Sequence, residues 1–517
     1  MKRIIYVGLL LTMIMTTGCK KFLSLDPPSS LSGNNFWRNK DDVDGFVNGL
    51  YMLFRSSVFR SDMTAATGED EFPFFAWSGD MRGAPIHRNP SAFSGREYIN
   101  ILPRNDIKTL VNGGAGYDGL YNDLFNVNRF TQWDRFFKTI ASANIAVSVI
   151  PDVADPALST GDKNKYVGEA IFLRNLCYFF MVRLWGDVPY YTKPYFTGTL
   201  KRENKVIVLK NILQDMERSK EYLPWTNSNP SHVAVHASRG SAIVLMMHVN
   251  MWLACFDVAN KDLYYQNVDK LGDELDQNNG AYQLLPLSRT KEIFKGRTRE
   301  GLFEIPQNVN YGETFGWSAF SDNVLYAPYK QYNILNSYLS YEADFMETIF
   351  PAEVADNRKS AWYVENQMYS GGDKFMMLKF ANVYANDQAE NVNPDDNQMV
   401  FRLSDAYLLH AEACAETGNY QKARLKANLV RARAGAPNLT SSGDDLKDDI
   451  FYERCRELMG EGQYWYDVVR TRRITDPQYR FGYHCTVSQF NAGAWTWPID
   501  PANRINNPEI TLNNYWL

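Results

Sequence analysis

Residue types able to do chemistry are easy to find in this chain, and most of them fail on spacing. Glu69-Asp70-Glu71 sets three carboxyls in a row within an aromatic loop. Splitting a glycosidic bond needs two acids facing each other across it, about 5–9 Å apart, one with a raised pKa. Adjacent loop acids are ordinarily just solvated, so this run is a candidate by composition alone. Gly114-Ala115-Gly116-Tyr117-Asp118-Gly119 spells G-x-G-x-x-G. A dinucleotide fold would also need a buried strand before it, then a helix and a second strand ending in an acid, within about 30 residues. Residues 107–111 make a poor strand and the following helix runs too long, so a flexible lead-in to a helix is the better reading. His232 and His236 are four apart, but the glutamate of H-E-x-x-H is missing, and Pro230 and Ser238 mark a loop with two unrelated histidines. His248, inside an apolar run, reads as a hydrogen-bonded core residue. There is no nucleophile elbow, P-loop or Cys-x-x-Cys pair, so the sequence signals no catalytic residue, cofactor or metal.

What the residues do support is binding. Sugars present flat C–H faces edged by hydroxyls, which suit a rigid ring with a polar tip, oriented by Asp, Asn and Arg. Two irregular regions offer that mixture. The first, 72–96, holds Trp77, Asp80 and Arg82, and the second, 311–332, holds Tyr311, Phe315, Trp317, Asn323 and Tyr326. The second region has seven aromatics in 22 residues, broken by Gly312, Gly316 and Pro328, and fits neither a helical nor a strand period. The plain alternative for any one of these rings is that it packs its loop onto a scaffold.

Such loops need a frame. In 401–435, Leu403, Tyr407, Ala411 and Ala415 form one helical stripe, Gly418-Asn419 turns the chain, and Ala423, Ala427, Val430 and Ala434 line a second helix. Gly418-x-Tyr420-x-x-Ala423, closed by Pro437, is the turn of a tetratricopeptide-like hairpin, which needs stacked neighbours to bury its apolar face. Apolar periodicity predicts them: helices over 41–54, 128–150, 165–185, 204–222, 239–259, 262–277 and a pair within 446–472. Residues 242–256 have only His248 and Asn250 as polar interruptions, a core helix short of a membrane span. The expected fold is therefore all-α, with helical hairpins over about 121–278 and 401–472, and loop-rich segments over about 64–119 and 284–397.

Composition narrows the class further. Hydrophobic residues at 45% are ample for a core, the net charge is −5, and no block of Lys or Arg suggests a phosphate-tracking surface, so nothing favours nucleic acid. Lys2-Arg3, an apolar run over 4–15 and small residues before Cys19 read as a leader over 1–18, with Cys19 the acylated first residue of a mature chain 19–517. Two or more acyl chains hold a protein on a membrane. Residues 20–35, with Pro27-Pro28, form a tether. The five remaining cysteines are odd in number and mostly in helical runs, which predicts buried free thiols.

Several phrases carry a family resemblance. GEAIFLRNLCYFFMVRLWGDVPYY, RLSDAYLLHAEACAETGNYQKA, NLVRARAG, IFYERCRELMGEGQYWYDVVR and the closing WTWPIDPANRINNPEITLNNYW resemble, in order, the SusD/RagB family. Departures are Val268 at an alanine position, Tyr464 where arginine is usual, and the order Trp497-Pro498-Ile499. The resemblance spans essentially the whole mature chain, but its motifs are scaffold helices and carry over no ligand residue. It implies a lipid-anchored protein on the outer membrane, facing the cell exterior. Such a protein captures an oligosaccharide, or in some relatives a peptide, and passes it to a SusC-like TonB-dependent transporter without breaking a bond. Readings from other classes are a surface glycoside hydrolase and a repeat scaffold that binds proteins.

Overall fold

In the computed structural model several of the helices begin where a side chain caps the first turn. The structure describes residues 36–59, 72–92, 94–112, 127–278, 280–308, 313–330, 334–372, 374–381, 383–384, 393–394, 396–505 and 507–517. The expected leader over 1–18, Cys19, 69–71, 114–119 and Tyr311 lie outside these residues, as does the side chain of Trp317. Helix α1, Lys40–Val58, starts where the Asn39 side chain accepts the Asp42 N–H. Helix α2 is Asp134–Val149 and α3 is Thr160–Trp185, which opens on a Ser159/Asp162 capping box and stops at Gly186, φ +75°. Helix α4, Lys205–Ser219, α5, Arg239–Phe256, and α6, Lys261–Gln277, follow.

The single helix expected over 128–150 is broken before Asp134. A short 3-10 turn, Val127–Phe130, precedes it. The Phe130 carbonyl accepts Trp185 Nε1 at 2.9 Å and the Thr131 carbonyl accepts the Asp500 N–H at 2.9 Å, so tertiary donors take the acceptors a continuing helix would use.

Helices α7, Leu403–Glu416, and α8, Tyr420–Arg433, form the hairpin read from the sequence, with Gly418 at φ +80° in the turn. Ala411, Ala415, Ala423 and Ala427 are buried together with Leu408, Cys414 and Val430, and these small side chains let the two backbones close up. Helix α9 is Gly443–Leu458 and α10 is Tyr464–Arg470. Packing runs α1 on α2, α2 on α3, α3 on α4, α4 on α5, α5 on α6, α6 on α7, and α7 on both α8 and α9. Helices α3 and α5 are buried along 166–185 and 240–255, which makes them the spine, and α5 is a core helix despite its apolar length. Gly272 of α6 meets α7 so closely that a Cβ there would lie 2.2 Å from His410 Nδ1. Strands are few and short: β1, Ile86–Arg88, pairs with β3, Leu339–Tyr341, and β2, Gly301–Ile305, pairs with β4, Gln398–Arg402, both antiparallel. The five described cysteines are buried free thiols, as their spacing predicts. Tyr464, at the family's arginine position, is buried and shares a 3.0 Å hydrogen bond with the Tyr479 hydroxyl.

Between hairpins and loops lies a buried ionic network. Arg402 reaches Glu461 at 2.6 Å, Glu457 at 2.6 Å and Glu300 at 3.1 Å, and Lys379 reaches Glu461 at 2.6 Å. Arg358 holds Glu453 at 2.8 Å and Glu457 at 2.9 Å, with all three side chains 0% exposed. Burial alone would raise the Glu453 carboxyl, but Arg358, Arg456 and Arg431 hold it down at about 2. Burial likewise opposes the charge of Glu457, and Arg433, Arg402 and Arg358 keep it well below the usual carboxylate range.

A buried pair is costly to break because the surviving charge is stranded, about 3–5 kcal/mol. Arg358→Met is therefore expected to lower unfolding stability by that amount at pH 7, read from urea titrations. Because both carboxyls have depressed folded pKa values, their contribution is complete above about pH 5 and falls as pH drops toward about 2. The gap between parent and variant should narrow at pH 3; a gap that stays constant would refute the assignment of charge to these carboxylates.

Candidate functional site

The two loop-rich regions meet and form one lobe. Strand β1 pairs with β3 in the register Ile86↔Tyr341, His87↔Ser340 and Arg88↔Leu339. Arg96 and Asp322 form a buried 2.7 Å ion pair, and the Tyr98 hydroxyl donates to Asn323 Oδ1 at 2.7 Å. The Tyr338 ring lies between two cations, the Arg96 guanidinium at 4.2 Å and Lys330 Nζ at 3.8 Å. Asp322 also pairs with Lys330 at 2.8 Å. The contacts that join Arg96 and Tyr98 to Asp322, Asn323 and Tyr338 cross more than 200 residues of chain, so side chains as well as the short ladder tie the lobe together.

Five of the eight expected ligand residues are interior, which corrects their reading as an exposed platform. Trp77, on the short π-helical turn Ala76–Met81, packs on Tyr98 at 4.5 Å and Phe130 at 5.9 Å. Asp80 accepts the backbone N–H groups of Gly460 at 3.2 Å and Gly462 at 2.6 Å. The turn sits so close to 460–462 that a Cβ on Gly79 would be 2.3 Å from the Gly462 oxygen. Arg82 lies between the rings of Trp465 at 4.4 Å and Trp497 at 5.1 Å, donating to Asn105 Oδ1 at 2.9 Å and to the carbonyls of Ala494 and Thr496. Phe315 stacks on Phe59 at 4.2 Å, and Asn323 is 1% exposed. Trp77, Asp80, Arg82 and Phe315 weld their loops to the rest of the fold, and Asn323 joins the two loop regions through Tyr98. In an aperiodic segment nothing distinguishes a ring facing water from one facing a helix layer, and here the helix layer took them.

Tyr326 is different. It is half-buried over Leu325, Met376 and Ala381 together with Tyr329, and its hydroxyl accepts Gln367 Nε2 at 2.6 Å. The exposed Lys374 carries its ammonium 5.9 Å from the Tyr326 ring centre. Two tyrosine rings, an amide and a cation on one surface patch have the mixture that sugar recognition asks for. Tyr329 was visible in the sequence as one ring of the aromatic run, whereas Gln367 and Lys374 come from a distant loop with no signal.

Other polar groups have local explanations. His248 Nε2 shares a 2.7 Å hydrogen bond with Asp405, the core role expected of it. His232 and His236 are not unrelated: their rings stack at 3.9 Å, and His236 Nδ1 meets buried Glu169 at 2.8 Å. Asp269, Asp273, Asp276, His410 and Cys414 gather between α6 and α7 with donor atoms near enough to hold a cation. Lys422 already sits 2.5 Å from Asp269 and 2.7 Å from Asp273, and Lys426 pairs with Asp276, so two ammonium groups occupy those carboxylates. A cleft of about 360 Å³ beside the end of α3 is lined by Asp187, Arg202, Lys205, Phe256, Trp495 and Asn513. Arg202 there is consumed by the carbonyls of Asp187, Trp185 and Thr511. No single stretch of sequence announces that cleft.

Stacked helical hairpins carrying a loop-built face define the class of protein, and comparison with known proteins gives the family. The SusD family profile matches residues 326–516, and one described as starch-binding associating with outer membrane matches residues 111–249. A SusD homolog from Bacteroides thetaiotaomicron, known from a crystal structure, is 39% identical with a TM-score of 0.83, over 93% of this chain and 100% of that one. A SusD-like protein of Formosa agariphila is 24% identical over 98% of this chain and 97% of its own length. A laminarin-binding SusD-like protein shares the fold at 20% identity and a TM-score of 0.63, over 92% of this chain and 99% of that one. The chain belongs to the SusD/RagB family.

Asp80 provides a pH test of the weld. Burial pushes its carboxyl up to about 8, against the lowering by the Gly462 N–H and by Lys379. A folded pKa above the unfolded one means that the native state binds the extra proton, so this contribution is full below about pH 4 and lost as pH rises toward 8. Relative to Asp80→Asn, the parent should lose stability between pH 5 and pH 8, by at most about 1.4 kcal/mol per pH unit. Parallel urea-midpoint profiles for the two proteins would overturn the assignment.

Proposed function

We propose that this protein captures an extracellular oligosaccharide on the loop lobe and delivers it, chemically unaltered, to a SusC-like TonB-dependent transporter in the outer membrane. Cys19 is the lipidated anchor, and 19–517 fold as one unit on the outer face of the cell. The observation that carries this reading is the 39% identity, across nearly the whole chain, with a SusD homolog. The patch of Tyr326, Tyr329, Gln367 and Lys374 supports a carbohydrate as the ligand, as does the laminarin that one relative of the same fold is named for binding. Tyr311 and Trp317 complete the ligand arc in this proposal. The small apolar cluster beneath Tyr326 and Tyr329 leaves those two rings less freedom to lose on binding, which favours affinity.

A glycan array that also carries peptides, run on the soluble form, tests the ligand class; peptide binding alone would refute the sugar reading. Loss of one stacking ring is worth up to about 1.5 kcal/mol. Trp317→Ala and Tyr326→Ala should therefore each weaken binding by up to roughly tenfold with unchanged helicity, and equal affinity for both variants and parent would remove this site. For the anchor, Cys19→Ala is expected to abolish labelling by a fatty acid and shift the protein from the membrane to the soluble fraction; retention of label would place the lipid elsewhere.

A further inference from the structure

Residues 289–299 read RTKEIFKGRTR, with five cations and Glu292 as the one acid, in a chain whose net charge is −5. All five, Arg289, Lys291, Lys295, Arg297 and Arg299, are exposed. A uniform acidic surface would have no such reversal, and charge of one sign at the edge of a recess focuses the local field.

The segment folds around a recess of about 540 Å³, lined by Gln283, Arg289, Lys295, Arg297, Thr298 and Arg299 among others. Its size lies within the range of about 300–1,000 Å³ usual for small-ligand sites. One wall is the short helix Thr290–Lys295. The chain then reverses at Gly296, φ +89°, and Arg297, φ +56°, before entering β2. That reversal is fixed from beneath. Buried Glu304 accepts the Arg297 N–H and, at 3.1 Å, Asn397 Nδ2, and a Cβ on Gly296 would lie 2.0 Å from that same amide nitrogen. The opposite wall is pinned by the Gln283 N–H donating to the Arg299 carbonyl at 2.9 Å and the Leu285 N–H donating to Glu300 at 2.8 Å. Glu292 faces Arg289 at 2.9 Å, which leaves the recess with an excess of positive charge.

We infer that this recess is a second binding site, for the sulfate or carboxylate groups of an acidic polysaccharide. Arg297 Nε donates to the Ser231 carbonyl at 3.1 Å, and Arg299 to the Gly280 carbonyl and, at 3.4 Å, to Gln283 Oε1. These two guanidiniums are anchored by neutral acceptors and, with Arg289 and Lys295, set positive charge around a concavity that suits an anionic group carried on a hydroxylated ring. A membrane surface would be met better by a flat or convex basic face. The inference rests on the reading of the protein as a glycan-binding one, and it extends that reading from neutral rings stacked on tyrosine to charged groups held by cations.

The test uses the soluble protein, with chondroitin sulfate and polygalacturonate oligosaccharides as sulfated and purely carboxylated probes. A neutral laminarin oligosaccharide and phosphatidylglycerol vesicles complete the set. Binding of either acidic probe at about 50 mM salt, weakened at least tenfold at about 500 mM, is expected from the screening of exposed charge. Arg289→Gln/Lys295→Gln should weaken it at least tenfold at low salt, while Lys291→Gln, outside the recess lining, changes it less than twofold. Thermal midpoints of all variants should match the parent. The acidic probe that binds more tightly identifies the anion. Absence of acidic-probe binding, equal loss in the Lys291→Gln variant, or binding to the vesicles alone would overturn the inference. Neutral-probe binding reads the other site: its loss only in Tyr326→Ala leaves the glycan reading intact whatever the acidic probes do.

Discussion

The seating of the loops on the helices depends on charges buried where water cannot reach them. Arg402 stands at the end of β4, Glu457 and Glu453 on α9, Glu461 just beyond it, and Arg358 and Lys379 on the loop-rich segment. A buried ion pair adds little net stability, since desolvation offsets most of the attraction. What it does is punish misregister. Any displacement of the lobe along the hairpins would strand a carboxylate or a guanidinium in an apolar interior, a penalty far larger than that of a slipped apolar contact. Lys379 shows the tightness of the constraint: its ammonium donates to the Glu457 and Met459 carbonyls as well as to Glu461, while the rings of Phe294, Trp362 and Phe380 enclose it.

A second tier extends the same logic through the stack. Asp405 of α7 bonds His248 of α5 at 2.7 Å and Arg454 of α9 at 2.9 Å, and Arg454 continues to Asp467 of α10 at 2.8 Å. Four helices are thereby keyed by one chain of hydrogen-bonded polar and charged side chains, and the hairpins become a frame with a single register. Burial alone would raise the Asp405 carboxyl, yet His248 and Arg454 hold it well below the ordinary carboxylate range, so it stays ionised in the interior.

The helices were legible because apolar periodicity is a local property. Leu403, Ala411 and Ala415 say where α7 faces, Gly418 says where it stops, and the structure follows both. The ionic frame was not legible for the converse reason. In ERCRELMGEG the charges Glu453, Arg454 and Glu457 look like a solvated helix face, and only partners 22 to 99 residues away turn them inward. The same holds for Trp77, Asp80 and Arg82: the sequence places rings and polar groups in one loop, but Trp465, Trp497 and the 460–462 turn decide that the loop faces the core. His232 and His236 were read as unrelated because helical spacing without a helix predicts no contact, and a loop closed the gap.

Aromatic content by itself is therefore a poor guide to where this protein meets its surroundings. Most of the rings are consumed in joining layers, as in the run Phe72, Phe74, Phe75 and Phe180, whose centres lie 5.0–6.0 Å apart in successive pairs. A ring becomes a platform only when its back is held by the core and its front is left to solvent. Tyr326 and Tyr329 meet that condition because the patch beneath them is small, Leu325, Met376 and Ala381, set apart from the main core. A satellite cluster of this kind is deep enough to fix a ring and too shallow to swallow it. The frame of buried charge then acts on function at a distance: by denying the lobe any alternative seating, it keeps that shallow cluster, and the rings upon it, at the surface.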